Sequence, residues 1–194
     1  MDPRLPASLL ERLRRVLHDM DAAYERAAAG HGFVCSGCST SCCRTRFYHH
    51  TLLEVLYLRD GFSGLPADRR ELIRANAAAV AARQEQTALS GADARPLCPL
   101  NAEGRCLLYA HRPMICRLHG IPHELRPPGR SAQQSPGCEE FHRRCGRSDR
   151  PLLDRTPLYT ELARLEAECR QALGLRRKIR MTVAEMLLND GGLS

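Results

Sequence analysis

The sequence predicts a mainly α-helical single small domain, its helices packed around an irregular, cysteine-rich metal-binding centre. Three observations carry that expectation. Apolar residues recur at helical spacing near both ends of the chain, capped and alanine-rich segments lie between them, and nine of the ten cysteines fall within residues 31–145, a stretch interrupted by glycine and proline. One domain spanning 1–194 is expected. In it a cysteine-cluster module, 31–145, is flanked by an N-terminal helix, 5–28, and C-terminal helices, 157–190.

Residues 5–28 form an amphipathic pattern, with Leu9, Leu13, Val16, Met20, Ala23 and Ala27 on one stripe and Gly30 as the predicted stop. Thr51 and Glu54 form a capping box ahead of Leu52, Leu53, Val55, Leu56 and Leu58, predicting a buried helix that ends near Gly61. Residues 67–89 are alanine-rich, with Pro66 before and Gly91 after, and read as scaffold. Between Asn101 and Gly104 the turn chemistry predicts a small hairpin bringing Cys98 and Cys106 to one end, and Pro113 is placed to start a helical turn carrying Cys116 inward. The prolines and glycines of 121–137 predict a loop. Thr156 as N-cap and Pro157 as N1 start a helix that Gly174 ends, and Thr182 with Glu185 caps a last one ending at Asn189 to Gly192.

The chemistry concentrates in the thiols. Cys35, Cys38, Cys42 and Cys43 lie within nine residues, spaced by small residues that wrap tightly around an ion. Cys35 and Cys38 form a C-x2-C knuckle, and Cys38 and Cys42 share a face of one helical turn. Adjacent Cys42 and Cys43 diverge, which is awkward for one tetrahedral ion and points to two centres or one multinuclear cluster. Cys98, Cys106 and Cys116 make the second block, with Arg112 and Arg117 placed to donate to thiolate or carboxylate. Cys138 and Cys145, about two helical turns apart, rank as further ligands. Cys169 lies on the apolar stripe of its helix and reads as a core thiol. His31 is close enough in sequence to be a ligand. His49 and His50, just before a helix, more often face solvent or cap it than bind metal.

The charge of +7 counts every thiol as neutral, so thiolate clusters would cancel much of it. With few aromatics and scattered arginines, a nucleic-acid partner is not expected. No run of apolar residues reaches membrane-spanning length, and no partner membrane is expected. The N-terminus shows no secretory h-region, so a cytoplasmic, reducing location is expected, where thiols serve metal rather than disulfides.

The two blocks together resemble a family of bacterial cysteine-cluster proteins described as zinc- or iron-chelating domains, the YkgJ-like or CxxCxxCC family. The resemblance rests on Cys42-Cys43-Arg44, Cys98-Pro99-Leu100, Gly104-Arg105-Cys106 with Tyr109, and Arg112-Pro113-Met114-Ile115-Cys116-Arg117. Three residues, Ser39, Thr40 and Ser41, separate Cys38 from the CC pair where the family pattern has two. The resemblance implies metal chelation through Cys35, Cys38, Cys42, Cys43, Cys98, Cys106 and Cys116. The expected cofactor is an iron-sulfur cluster of the four-iron type with a redox or group-transfer role. The alternative is zinc in closed four-cysteine sites of a structural or interaction module without catalysis, serving a protein or small-molecule partner that the sequence does not specify.

Overall fold

The computed structural model describes residues 4–35, 41–91, 95–146 and 152–189. The chain is mainly helical: α1 (Ala7–His31), α2 (Leu52–Ser63), α3 (Ala67–Ser90), the hairpin β1 (Asn101–Ala102) and β2 (Arg105–Cys106), and α4 (Met114–Leu118). There follow β3 (His123–Leu125), β4 (Gln133–Ser135), α5 (Glu139–Cys145), β5 (Leu153–Asp154), α6 (Thr156–Leu173) and α7 (Val183–Leu188). Among the described residues, no helix is long and apolar enough to cross a membrane.

α2 is the centre of the packing because every residue of its first two turns, 52–58, is buried. Leu52, Leu53, Val55, Leu56, Tyr57, Leu58 and Phe62 are all buried, and only its last turn offers Asp60 and Ser63 to water. Around it, α1 lays Leu13, Val16, Leu17 and Met20 against α6, which offers Leu162, Leu165 and Cys169. α3 contributes Ile73 and Ala77 and packs on α7. Cys169 is fully buried in this core, as its stripe position predicts.

Two glutamates lock the frame. Glu166 of α6 accepts from the backbone N–H groups of Leu52 (2.8 Å) and Leu53 (3.0 Å), satisfying donors that the first turn of α2 leaves free. Glu54 turns away from the expected capping box. Thr51 still caps Glu54 N, but the Glu54 carboxylate accepts from the Thr51 hydroxyl (2.6 Å) and, across the fold, from Met114 N (2.8 Å) at the start of α4.

Several boundaries differ from expectation. α1 runs through Gly30 and stops at Gly32, where the left-handed turn (φ 65°) lets Phe33 N bond Ala28 O at 2.9 Å and sends Phe33 into a second apolar cluster with Ala28, Ile121 and Phe141. α2 continues past Gly61 because Phe62 needs the core. Gly61 instead makes room for a ring, since a Cβ there would clash with His111, whose ring packs against Tyr57 at 4.6 Å. Gly61→Ala should therefore destabilise the protein by about 1–3 kcal/mol, against the gain that alanine normally brings to a helix; thermal unfolding of the variant reads the sign.

The 121–137 stretch is a hairpin, the central strand and one edge of a three-stranded sheet, rather than a loop. β3 pairs antiparallel with β4 and parallel with β5, and the Pro127–Gly129 segment is the turn between β3 and β4. Thr156 is the first residue of α6 rather than its N-cap, and its hydroxyl accepts from Arg126 N at 2.9 Å. At α7 the predicted capping box is complete, with Thr182 and Glu185 bonding reciprocally.

Candidate metal centre

The two cysteine blocks meet where the chain enters and leaves the α2–α3 hairpin. Residues 41–45 form a turn in which Arg44 N and Thr45 N both bond Ser41 O, and Cys98 N bonds Cys43 O at 2.7 Å, stitching the blocks together through the backbone. The β1–β2 hairpin then turns at Glu103 (φ 52°) and Gly104 (φ 82°), conformations of the tight turn that the sequence predicts, and pairs Asn101 with Cys106. α4, held at its start by Glu54, supplies Cys116. As a result Cys42, Cys43, Cys98, Cys106 and Cys116 line one pocket, together with His49 and Arg112.

Hydrogen bonds aim at the sulfurs. Cys98 accepts from the N–H of Leu100 and Cys106 from that of Leu108, the same two-residue offset in each knuckle. Asn101, whose Oδ1 is taken by Gly104 N at 3.1 Å, bonds Cys43 through its side chain. The Cys42 thiol donates to Cys43, so the adjacent pair meets where its spacing predicts divergence, and this bond, with Asn101 and the nearby Arg112 charge, pushes Cys43 down towards the thiolate. Burial pushes Cys98 up to about 12, and raises Cys106 and Cys116 as well. Buried thiols in low dielectric thus favour the neutral form until a cation arrives.

Arg112 and Arg117 take the carboxylate branch of their predicted role. Both reach Asp21 of α1, Arg112 at 3.4 Å, and Arg117, itself buried, also bonds Arg112 O at 2.8 Å and Ala110 O. Arg112 additionally lies 3.6 Å over the Tyr109 ring. The pair is thereby fixed beside the thiols, where positive charge offsets thiolates.

The remaining predicted ligands divide differently. Cys38 lies outside the described residues. Cys35 is exposed; with Cys138 and Cys42 it raises the Tyr24 hydroxyl, after burial, the largest cause. Cys138 caps α5, accepting from Phe141 N at 3.4 Å, and Cys145 at the other end of α5 packs with the Phe33 cluster. Neither lines the five-thiol pocket. All nine described cysteines are free thiols.

The donor set fits a soft cation, with thiols in excess of one tetrahedral shell, N–H groups on two sulfurs and fixed arginines nearby. Among the described residues no three His, Cys, Asp or Glu side chains are already grouped to hold an ion. The pocket gathers the donors without a preformed polyhedron.

Of the two histidines expected to face solvent or cap α2, His49 is buried and His50 exposed. His49 is 2% exposed, and burial depresses its imidazolium to about 4. Alternation along the extended 47–50 segment was the available signal, because it sends one histidine of the pair inward. His31 instead packs edge-on against Phe141 at 5.1 Å.

Glu54 makes a pH-dependent contribution. Burial raises its carboxyl, against the opposing bonds from Thr51 and Met114. A raised folded-state value means that its stabilisation is full at acid pH and is lost as pH rises through that value. Glu54→Gln, which keeps the acceptor for Met114, should match the parent near pH ~4 and be the more stable near pH ~8 in thermal unfolding.

No family model matches the chain, and neither a curated protein nor a solved structure does.

Proposed function

We propose that this protein holds an iron-sulfur cluster of the four-iron type and serves a redox or group-transfer role in the reducing cytoplasm. The observation that carries this reading is the convergence of five thiols, both members of the CC pair included, on one pocket. Zinc and a four-iron cluster each take four cysteines; the cluster is favoured because its separate irons can take the adjacent Cys42 and Cys43 one apiece. Cys42, Cys43, Cys98, Cys106 and Cys116 are the proposed ligand pool. When bound, such a cluster supplies one-electron transfer or an open iron for group transfer. The chain's own part is to exclude water with Leu58, Val80 and Leu100, to donate N–H groups to Cys98 and Cys106, and to hold Arg112 as a counter-charge. The resemblance to the cysteine-cluster family implies these five together with Cys35 and Cys38.

The paired N–H-to-sulfur knuckles at Cys98 and Cys106 favour a second reading, a closed zinc site in a binding module. Metal and acid-labile sulfide content of protein purified without oxygen separates the two. Iron and sulfide in matching amounts, with a brown colour bleached by reductant, is the expected result; colourless protein with zinc and no sulfide would sink the cluster.

A further inference from the structure

We infer that His49 is a metal ligand through Nε2, giving the centre a mixed cysteine and imidazole donor set; the inference rests on the metal-binding reading above. His49 lines the same pocket as Cys42, Cys43, Cys98, Cys106 and Cys116. His49 is 2% exposed, and its Nε2 has no hydrogen-bond partner among the described residues. A buried ring nitrogen left unpaired is a desolvation cost that native interiors rarely carry without a compensating partner.

The other polar side chains at the pocket mostly have partners of their own. Arg46 bonds Gln84 O at 3.1 Å, Arg112 bonds Tyr109 O at 3.0 Å, and the Thr182 hydroxyl caps α7. The backbone that carries the ring is held in place, since His49 N bonds Met181 O at 2.7 Å and Met181 N returns a bond to His49 O at 3.0 Å. His50, its neighbour, is exposed and sits 3.3 Å from Ile179 O. His119 also has an unpaired buried Nε2, but it does not line this pocket. Zinc, iron and cobalt all accept imidazole beside thiolate, so a divalent ion of this class uses the nitrogen that thiols alone would strand.

The test loads the full chain, reduced and free of oxygen, with cobalt(II) alone and reads X-ray absorption at the cobalt edge. Wild type should show imidazole scattering beside sulfur. His49→Ala should lose that signature and bind cobalt at least ~10-fold more weakly, while His49→Cys should bind with an all-sulfur shell. His50→Ala and His119→Ala should keep the imidazole. Cobalt held by sulfur alone in wild type, or imidazole scattering that survives His49→Ala, overturns ligation by His49 and leaves the thiolate centre standing. A wild-type chain that takes up no cobalt overturns ligation by His49, while the thiolate cluster stands or falls on its own iron and sulfide content. Should the alanine variant misfold, sulfur alone in wild type still overturns the ligation, and an all-sulfur shell in His49→Cys still supports it.

Discussion

Cys116→Ser should release all bound metal, whereas Cys145→Ser should leave the metal content unchanged. Cys116 is electrostatically coupled to Cys98, Cys106 and Cys43 within the pocket, and its position is fixed from behind by the Glu54 bond to Met114. Serine keeps the size and removes the soft, polarizable donor that thiophilic ions require. Cys145 packs instead with Phe33, Phe141 and Ile121, and it lies outside the set that lines the pocket. Metal per chain, measured on folded protein whose helix content is checked by circular dichroism, reads both variants. A Cys116→Ser protein that keeps its full metal content would remove Cys116 from the ligand pool.

Glu166→Ala should destabilise the protein by about 4 kcal/mol, since each hydrogen bond to a charged group contributes ~1.5–3 kcal/mol. The carboxylate accepts from Leu52 N, Leu53 N and the Arg170 guanidinium (2.6 Å), and its removal strands two backbone donors beneath α6 and unpairs a cation. Because α2 is the buried centre of the fold, the loss should appear as a cooperative shift of the urea midpoint with an unchanged slope. Glu166→Gln keeps an acceptor and should lose less. Equal midpoints for parent and Glu166→Ala would show that the α2 terminus is satisfied in another way.

Local signals were legible wherever neighbours in sequence make the structure. Thr182 with Glu185, the Asn101–Gly104 turn, Pro66 before α3 and Gly174 after α6 all work through residues within a few positions of each other. The misses have distant partners. Gly32 rather than Gly30 ends α1 because only that stop delivers Phe33 to Phe141, more than a hundred residues on. β3 to β5 are strands of two or three residues, created by pairing and too short for any period to show. At the candidate centre, the cysteines could be named from spacing, but their division could not: Cys138 looks the same in sequence whether it binds metal or caps α5. Asp21, Glu54 and Asn101 hold the site through contacts that spacing alone does not encode.

The stitch between Cys43 and Cys98 has a further meaning in polymer terms. An ion shared by thiols of both blocks would be a crosslink closing a loop that contains all of α2 and α3. For a loop of ~55 residues, chain-entropy arguments assign such a closure about 4 kcal/mol, taken from the freedom of the unfolded chain. Chelation would then act on the ensemble that never touches the pocket. Once the ion is stripped, the helices farthest from the thiols would melt earlier without losing a single contact of their own.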